Sequence, residues 1–185
     1  MSEPPLSVHV ALLRAVNVGP RNRVQISDLL ALLMALGFAG GRSLLQSGNL
    51  VFRGDGRSAA ALELLLEAET AARLSLHTTY LVRSAAQWET VVARNPFLEE
   101  AARDPAHLLV MFLKEAPDEG AAAALQAAIR GPERVRLDGR HAYVVYPDGI
   151  GRSKLTTSLI ERTLGTRGAG RNWNTILKLA DLAST

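Results

Sequence analysis

The segment from Asp148 to Lys154 is the strongest candidate for chemistry in this sequence. It follows a predicted strand, contains two glycines and precedes a predicted helix. A strand, a glycine turn and a helix N-terminus aim free backbone N–H groups at an anion, and Arg152, Ser153 and Lys154 would add side-chain donors. The structural alternative is that the glycines form a turn, Ser153 caps the helix and the charges face water. The spacing is not that of a Walker A loop, so no nucleotide triphosphatase is implied.

A second loop, from Arg14 to Arg21, also leaves a predicted buried strand and precedes a helix. It places two guanidinium groups and the amide of Asn17 at one end of a sheet, where loops often hold ligands. The alternative is a plain connector whose arginines pair with nearby carboxylates.

A third candidate is the segment from Arg171 to Thr175. In the structural interpretation, Trp173 packs into the core from a helix and Asn172 caps that helix. Arg171 and Asn174 are then exposed hydrogen-bond donors. An aromatic ring beside Arg and Asn could also stack on a base and hydrogen-bond to it.

The preferred hypothesis joins these loops into one cationic site for a phosphate-bearing ligand, either a nucleotide or a nucleic-acid backbone. Its predicted residues are Arg14, Asn17, Arg152, Ser153, Lys154, Arg171 and Asn174. Two alternatives stay open. In one, the same motifs dock two lobes of a structural or protein-interaction module, with Arg152 and Arg171 buried in pairs with carboxylates. In the other, the chain is an enzyme acting on a phosphorylated small molecule, although the sequence names no general base or nucleophile.

Composition excludes several kinds of site. The 185 residues include no cysteine, which removes thiolate nucleophiles and Cys-ligated zinc or iron–sulfur centres. Each of the four histidines lies at or beside a predicted strand start with no second ligand at metal spacing, so neither a metal nor a cofactor is expected. No serine can be matched with a histidine and a carboxylate. Whether the chain is an enzyme is left open.

Basic residues are concentrated at the two ends of the chain. Residues 1–54 carry five arginines against two carboxylates, and residues 150–185 carry six basic residues against two acidic ones, while the middle is acidic. If the ends meet in space they would form one positive surface that attracts phosphates. The alternative is ordinary solvated surface, with arginine use set by genomic base composition.

The elements that must position these loops alternate between short strands and amphipathic helices. Val8–Leu13 predicts a buried strand, and Leu44–Gln46 and Leu50–Arg53 predict two strands around a tight turn. Each half then has the order βαββα. A fourth strand completes the first half, and a terminal helix takes its place in the second. We therefore predict an α+β protein of two ferredoxin-like subdomains related by duplication, with an extra C-terminal helix. The predicted subdomains are residues 1–95 and 96–185, and we expect them to pack together as one compact unit.

No apolar run approaches the roughly 18 residues that a membrane-spanning helix needs. Residues 1–7 also lack the basic-then-apolar pattern of a signal peptide. A cytoplasmic protein without membrane association is expected, and the oligomeric state is left open.

Four stretches carry a resemblance to a known family. In order, Ala11–Gly19, Gln46–Phe52, Pro147–Leu155 and Arg171–Thr175 look like the hallmark motifs of the bacterial family of domain of unknown function 1697. The family pattern has glycine at the positions of Ala15 and Pro20. The resemblance implies an α+β fold and no established activity, cofactor or catalytic residue. The family's motifs coincide with the three candidate loops.

Overall fold

The computed structural model describes residues 6–185, a mixed α+β structure with two four-stranded antiparallel sheets and seven α-helices. The described residues divide into two compact units. Unit 1 ends at Thr90 and also includes Leu179–Thr185, and unit 2 is Val91–Lys178. Residues 1–5, on which part of the signal-peptide argument depends, lie outside the described residues. Across residues 6–185, no helix is long and apolar enough to cross a membrane.

Unit 1 is built from four strands and two helices, followed by the start of a third helix. In chain order the elements are β1 (Ser7–Leu13), α1 (Ile26–Ala35), β2 (Ala39–Leu44), β3 (Asn49–Gly54), α2 (Ala59–Leu74), β4 (Tyr80–Ser84) and α3 (Ala85–Ala93). The strand order in the sheet is β2-β3-β1-β4. The apolar run of β1 is buried as predicted, and its residues alternate into a core that includes Leu13, Phe52 and Val82 from the sheet and Leu33 and Leu66 from the helices.

The predicted position of the second strand was wrong. Residues 44–46 do not form it; β2 ends at Leu44, and residues 45–48 make the turn into β3. Gly40 and Gly41 lie inside β2, where pairing with β3 shifts register between Ala39 and Arg42. Such a bulge accommodates residues that have low strand propensity.

Unit 2 repeats the strand order of unit 1. Its elements are α4 (Leu98–Arg103), β5 (Leu108–Leu113), α5 (Ala121–Ala128), β6 (Arg134–Asp138), β7 (His141–Val145), α6 (Thr157–Leu164), β8 (Gly168–Asn172) and α7 (Trp173–Ala183), whose last five residues belong to unit 1. The sheet order is β6-β7-β5-β8. The prediction that a terminal helix replaces the fourth strand is therefore wrong, because β8 pairs with β5 and α7 follows it.

Carboxylates from helices cover the last strand of each sheet. In unit 1, Glu63 and Glu67 of α2 accept hydrogen bonds from the backbone N–H groups of Val82 (2.8 Å) and Tyr80 (3.0 Å) on the edge strand β4. In unit 2, Glu161 of α6 accepts one from Gly168 on the edge strand β8 (2.9 Å). Unpaired N–H groups on an edge strand can pair with a strand of another chain. These carboxylates therefore protect the edge strands β4 and β8 from such pairing.

Candidate functional site

A cleft of about 330 Å³ in unit 2 is lined by residues 130–133, Asp148 and residues 152–154. Three cationic side chains line it, those of Arg130, Arg152 and Lys154, and all three residues are exposed. Within residues 6–185, none of these three side chains makes an ion pair or hydrogen bond. Two carboxylates, Glu133 and Asp148, also line the cleft. The cleft thus combines unpaired positive charge with acceptors in one concave site.

The turn after β7 brings Asp148 and residues 152–154 to this cleft. Tyr146 anchors its start, because its phenol donates to the carbonyl of Leu155 (2.9 Å) and its backbone N–H to the carbonyl of His107 (2.8 Å). Gly149 then adopts a φ of +82°, which L side chains rarely adopt. A short 3-10 helix, Ile150–Arg152, follows and holds the side chain of Arg152 in the exposed part of the turn.

Ser153 does not cap the helix, contrary to the structural alternative for this segment. The cap of α6 is Thr156, whose hydroxyl accepts from the N–H of Leu159 (3.1 Å), so the glycine turn does not lead directly into the helix N-terminus. The hydroxyl of Ser153 instead donates to Glu133 Oε1 and accepts from the N–H of Leu155 (2.9 Å). A serine hydroxyl has one proton to donate. Because Glu133 takes that proton, Ser153 positions a carboxylate and is not a free donor for an anion.

Glu133 and Arg130 line this cleft but were not predicted from the sequence as site residues. Only 9% of Glu133 is exposed, an unusual burial for a glutamate. Burial raises the pKa of the Tyr146 phenol, and the negative charge of Glu133 raises it further. The sequence signal was weak: Glu133 follows Gly131 and Pro132 and resembles an ordinary turn residue, and its partner Ser153 lies 20 residues away.

In unit 1, the predicted site residue Asn17 holds two loops together. Its φ is +55°, and its side-chain amide donates to the carbonyls of Gln46 (2.8 Å) and Val24 (3.1 Å), while Oδ1 accepts from the N–H of Val24 (2.9 Å). Both amide protons are therefore used within the protein. Asn17 also lines a second cleft of about 470 Å³ with Arg23, but its amide serves the architecture of the loop.

Gly48, in the loop that Asn17 holds, leads to a prediction on stability. Its φ is +73°, and a Cβ there would lie 2.6 Å from Val16 Cγ2 and 2.8 Å from Leu13 Cβ. We expect Gly48→Ala to lower the free energy of unfolding by about 2–5 kcal/mol, because left-handed strain and overpacking add. Gly19→Ala is the matched control, since Gly19 has a φ of +70° and open space around its Cβ position. Urea denaturation measures the free energy of unfolding of both variants. Equal losses of stability in Gly48→Ala and Gly19→Ala would contradict the claim that overpacking adds to the backbone strain at Gly48.

The other predicted residues lie outside the cleft. Arg14 follows β1 in unit 1; its backbone N–H donates to the carbonyl of Thr79 (2.9 Å), and the residue is partly buried. In unit 2, Arg171 lies on β8 opposite Val110 and donates to the carbonyl of Gly170 (2.9 Å), and burial lowers its pKa to about 10. Asn174 is exposed in the first turn of α7.

The structure therefore brings together only part of the predicted set. Arg152, Ser153 and Lys154 line one cleft, and Arg171 and Asn174 are not among its lining residues. Arg14 and Asn17 belong to unit 1, so the convergence of the two groups stays a prediction. Asn172 caps α7 as predicted, accepting from the N–H of Thr175 (3.0 Å). Over the described range, no group of three or more histidine and carboxylate side chains could hold a metal ion.

Comparison with known proteins identifies a family and a fold. Residues 6–143 match the sequence model of a family described as "Protein of unknown function (DUF1697)". The solved structure of conserved bacterial protein SP0830 from Streptococcus pneumoniae is similar to this chain, with a TM-score of 0.78 and 21% sequence identity over 97% of this chain and 99% of that one. No curated protein matches the sequence significantly. At this identity, the structural likeness shows the fold alone.

Proposed function

The chain belongs to the DUF1697 family of proteins of unknown function, and from that starting point we propose that the cleft of unit 2 binds a phosphate-bearing ligand. The observation that carries the proposal is the convergence of Arg130, Arg152 and Lys154 on one concave site without a carboxylate partner among residues 6–185. Exposed cations are ordinarily solvated, but the three cations outnumber the two carboxylates of this concave site, and the remaining positive charge raises the local potential and attracts an anion. Guanidinium and ammonium groups form charge-assisted hydrogen bonds with phosphate oxygens.

The dimensions of the cleft favour a small ligand. A volume of about 330 Å³ lies at the low end of the range for small-molecule pockets. It suits a nucleotide or a single phosphodiester unit of a nucleic-acid backbone. Arg152 and Lys154 are the predicted residues that would contact the phosphate, and Arg130 joins them. The proposal assigns no ligand contact to Ser153 or Asn17, whose protons are already donated.

A thermal-shift screen at low salt tests the proposed function. Inorganic phosphate, sulfate, mononucleotides, sugar phosphates and short oligonucleotides are compared with sodium chloride at matched ionic strength. A ligand at about ten times its dissociation constant adds roughly 1.4 kcal/mol and raises the melting temperature by about 3–6 °C for a chain of this length. If no phosphate compound shifts the transition, the proposal fails, and the interpretation of the motifs as architecture gains support.

We also propose that the two halves are ferredoxin-like units related by duplication. The shared strand order of the two sheets supports this. So does the position of Glu63 and Glu161, since each lies on the helix that precedes the edge strand of its sheet and accepts a hydrogen bond from an N–H of that strand.

A further inference from the structure

We propose that the cleft of unit 2 selects phosphomonoesters of hydroxyl-bearing sugars, with Glu133 accepting hydrogen bonds from the sugar hydroxyls while the cations hold the phosphate. This inference rests on the proposed function and names the class of ligand. It follows from the presence of a carboxylate beside the positive charge of the cleft, because a site that binds phosphate alone does not need a carboxylate.

The two oxygens of Glu133 are in different situations. Oε1 accepts the hydroxyl of Ser153, which is itself held by the N–H of Leu155. No donor among residues 6–185 reaches Oε2. Glu133 lines the cleft although only 9% of the residue is exposed, and Oε2 is not among the fully buried polar atoms without a partner, so this oxygen is accessible from the cleft. Oε2 therefore has room to accept a hydrogen bond from a ligand in the cleft, and a hydrogen bond to a charged acceptor is stronger than one between neutral groups.

The presence of this carboxylate restricts the ligand. An ionised carboxylate only accepts hydrogen bonds, and it repels phosphate oxygens that approach it. The ligand must therefore carry a phosphate at one end, for Arg152 and Lys154, and neutral donors at the other, for Glu133. Sugar hydroxyls are neutral donors that a phosphomonoester carries within a few bonds of its phosphate. Asp148 lines the same cleft and adds a second acceptor for hydroxyl groups.

Gly131 leaves the space that this orientation of Glu133 needs. A Cβ at residue 131 would lie 2.6 Å from Glu133 Oε2 and 3.1 Å from Oε1, closer than real Cβ contacts. The obstructed atoms are the far end of a flexible side chain. Gly131→Ala should therefore displace the carboxylate from its position without unfolding the protein. Gly151→Ala is the matched control, because the Cβ position of Gly151 has nothing within 4 Å and its φ is not positive.

Two sources supply the same chemistry, a free sugar phosphate and a ribonucleotide. Titration calorimetry on the full chain compares ribose 5-phosphate, AMP and butyl phosphate, which carries the same phosphate and no hydroxyl groups. We expect ribose 5-phosphate to bind at least tenfold more tightly than butyl phosphate, since a hydrogen bond to a charged acceptor has about that effect on affinity. An AMP affinity equal to that of ribose 5-phosphate identifies the sugar phosphate as the determinant, and a tenfold higher one identifies a nucleotide.

Glu133→Gln separates this inference from the proposed function. The amide keeps an oxygen for Ser153 but replaces Oε2 with a donor, so we expect the preference for ribose 5-phosphate to fall about tenfold while butyl phosphate binds unchanged or more tightly. Gly131→Ala should reduce the same preference, and Gly151→Ala should leave it intact. Thermal melts confirm that each variant is folded.

The outcomes distinguish the two claims. If wild-type protein binds ribose 5-phosphate and butyl phosphate equally, or if Glu133→Gln and Gly131→Ala leave the preference unchanged, this inference is overturned and the phosphate site stands. If the wild-type protein binds none of the three compounds, the proposed function fails, and the inference fails with it.

Discussion

Replacing Arg83 by methionine is expected to lower the free energy of unfolding by about 3–5 kcal/mol, the largest loss of stability that we predict for a single substitution. Arg83 lies on β4 with 1% of its side chain exposed, and its Nη1 is 3.7 Å from Oε1 of Glu63, whose side chain is 4% exposed. Removing the guanidinium leaves the charge of a buried carboxylate less compensated. A protein of this size has roughly 5–15 kcal/mol of stability, so the variant approaches the threshold for folding.

Arg73→Met is the matched control for Arg83→Met. Arg73 forms an ion pair with Glu69 (2.6 Å), one turn away on α2, but 51% of its side chain is exposed. Exposed pairs contribute about 0–1 kcal/mol, because water solvates both charges after the pair is broken. Urea denaturation measures the free energy of unfolding of both variants. Adding Glu63→Gln and the double variant Glu63→Gln/Arg83→Met completes a double-mutant cycle for positions 63 and 83. Strictly additive losses at positions 63 and 83, or equal losses at 73 and 83, would contradict the account of a coupled buried pair.

Removing both Arg152 and Lys154 is expected to weaken phosphate binding by about a hundredfold, the largest effect on affinity that we predict. Each charge-assisted hydrogen bond that is lost costs roughly tenfold, and neither cation has another partner among the described residues to hold it away from the ligand. Both residues are exposed, so the melting temperature without ligand should stay within about 2 °C of the wild-type value.

Arg162→Ala is the control for this loss of positive charge. Arg162 is exposed in the last turn of α6 and does not line the cleft. Calorimetric titration with inorganic phosphate at several salt concentrations should show unchanged affinity for Arg162→Ala. For Arg152→Ala/Lys154→Ala it should show both weaker binding and a flatter dependence on salt. A similar loss in Arg162→Ala would mean that net charge, and not the cleft, attracts the anion.

Much of the fold could be predicted because local signals and tertiary structure agree. The apolar run of β1 predicts a buried strand, and the structure buries it. Ser84 and Gln87 have the sequence spacing of a capping box, and the structure forms one at the start of α3: the N–H of Ser84 donates to Gln87 Oε1 (2.9 Å) and the N–H of Gln87 donates to Ser84 Oγ (3.2 Å). In such segments, propensity, capping and burial all favour the same element.

β8 could not be predicted because its residues have low strand propensity. Gly168, Ala169 and Gly170 show no alternation, and glycine is depleted in strands. The tertiary structure needs these small residues: a Cβ on Gly168 would lie 2.8 Å from the carbonyl oxygen of Phe112, and one on Gly170 would lie 2.9 Å from Leu109 Cδ2. The close approach of β8 to β5 thus requires glycine at these positions, although glycine has a low intrinsic propensity for strands.

The candidate site was predicted in part, and the missing part depends on distant contacts. Arg152 and Lys154 were recognisable as cations in a glycine turn, because type and spacing are visible in the sequence. The role of Ser153 was not, since its hydroxyl has a partner, Glu133, that only the tertiary structure brings to it. For the same reason Asn17 was predicted as a ligand donor, although its amide protons are donated to the carbonyls of Val24 and Gln46.

The central claim is that the cleft between residues 130–133 and 148–154 is an anion site, and an NMR titration tests it most directly. Backbone amide shifts of isotopically labelled protein are followed as inorganic phosphate is added at constant ionic strength. The account predicts saturable shifts concentrated at residues 130–133 and 148–154, and their loss in Arg152→Ala/Lys154→Ala. Shifts that stay linear up to high phosphate concentration, or that saturate only at residues elsewhere in the chain, would contradict it.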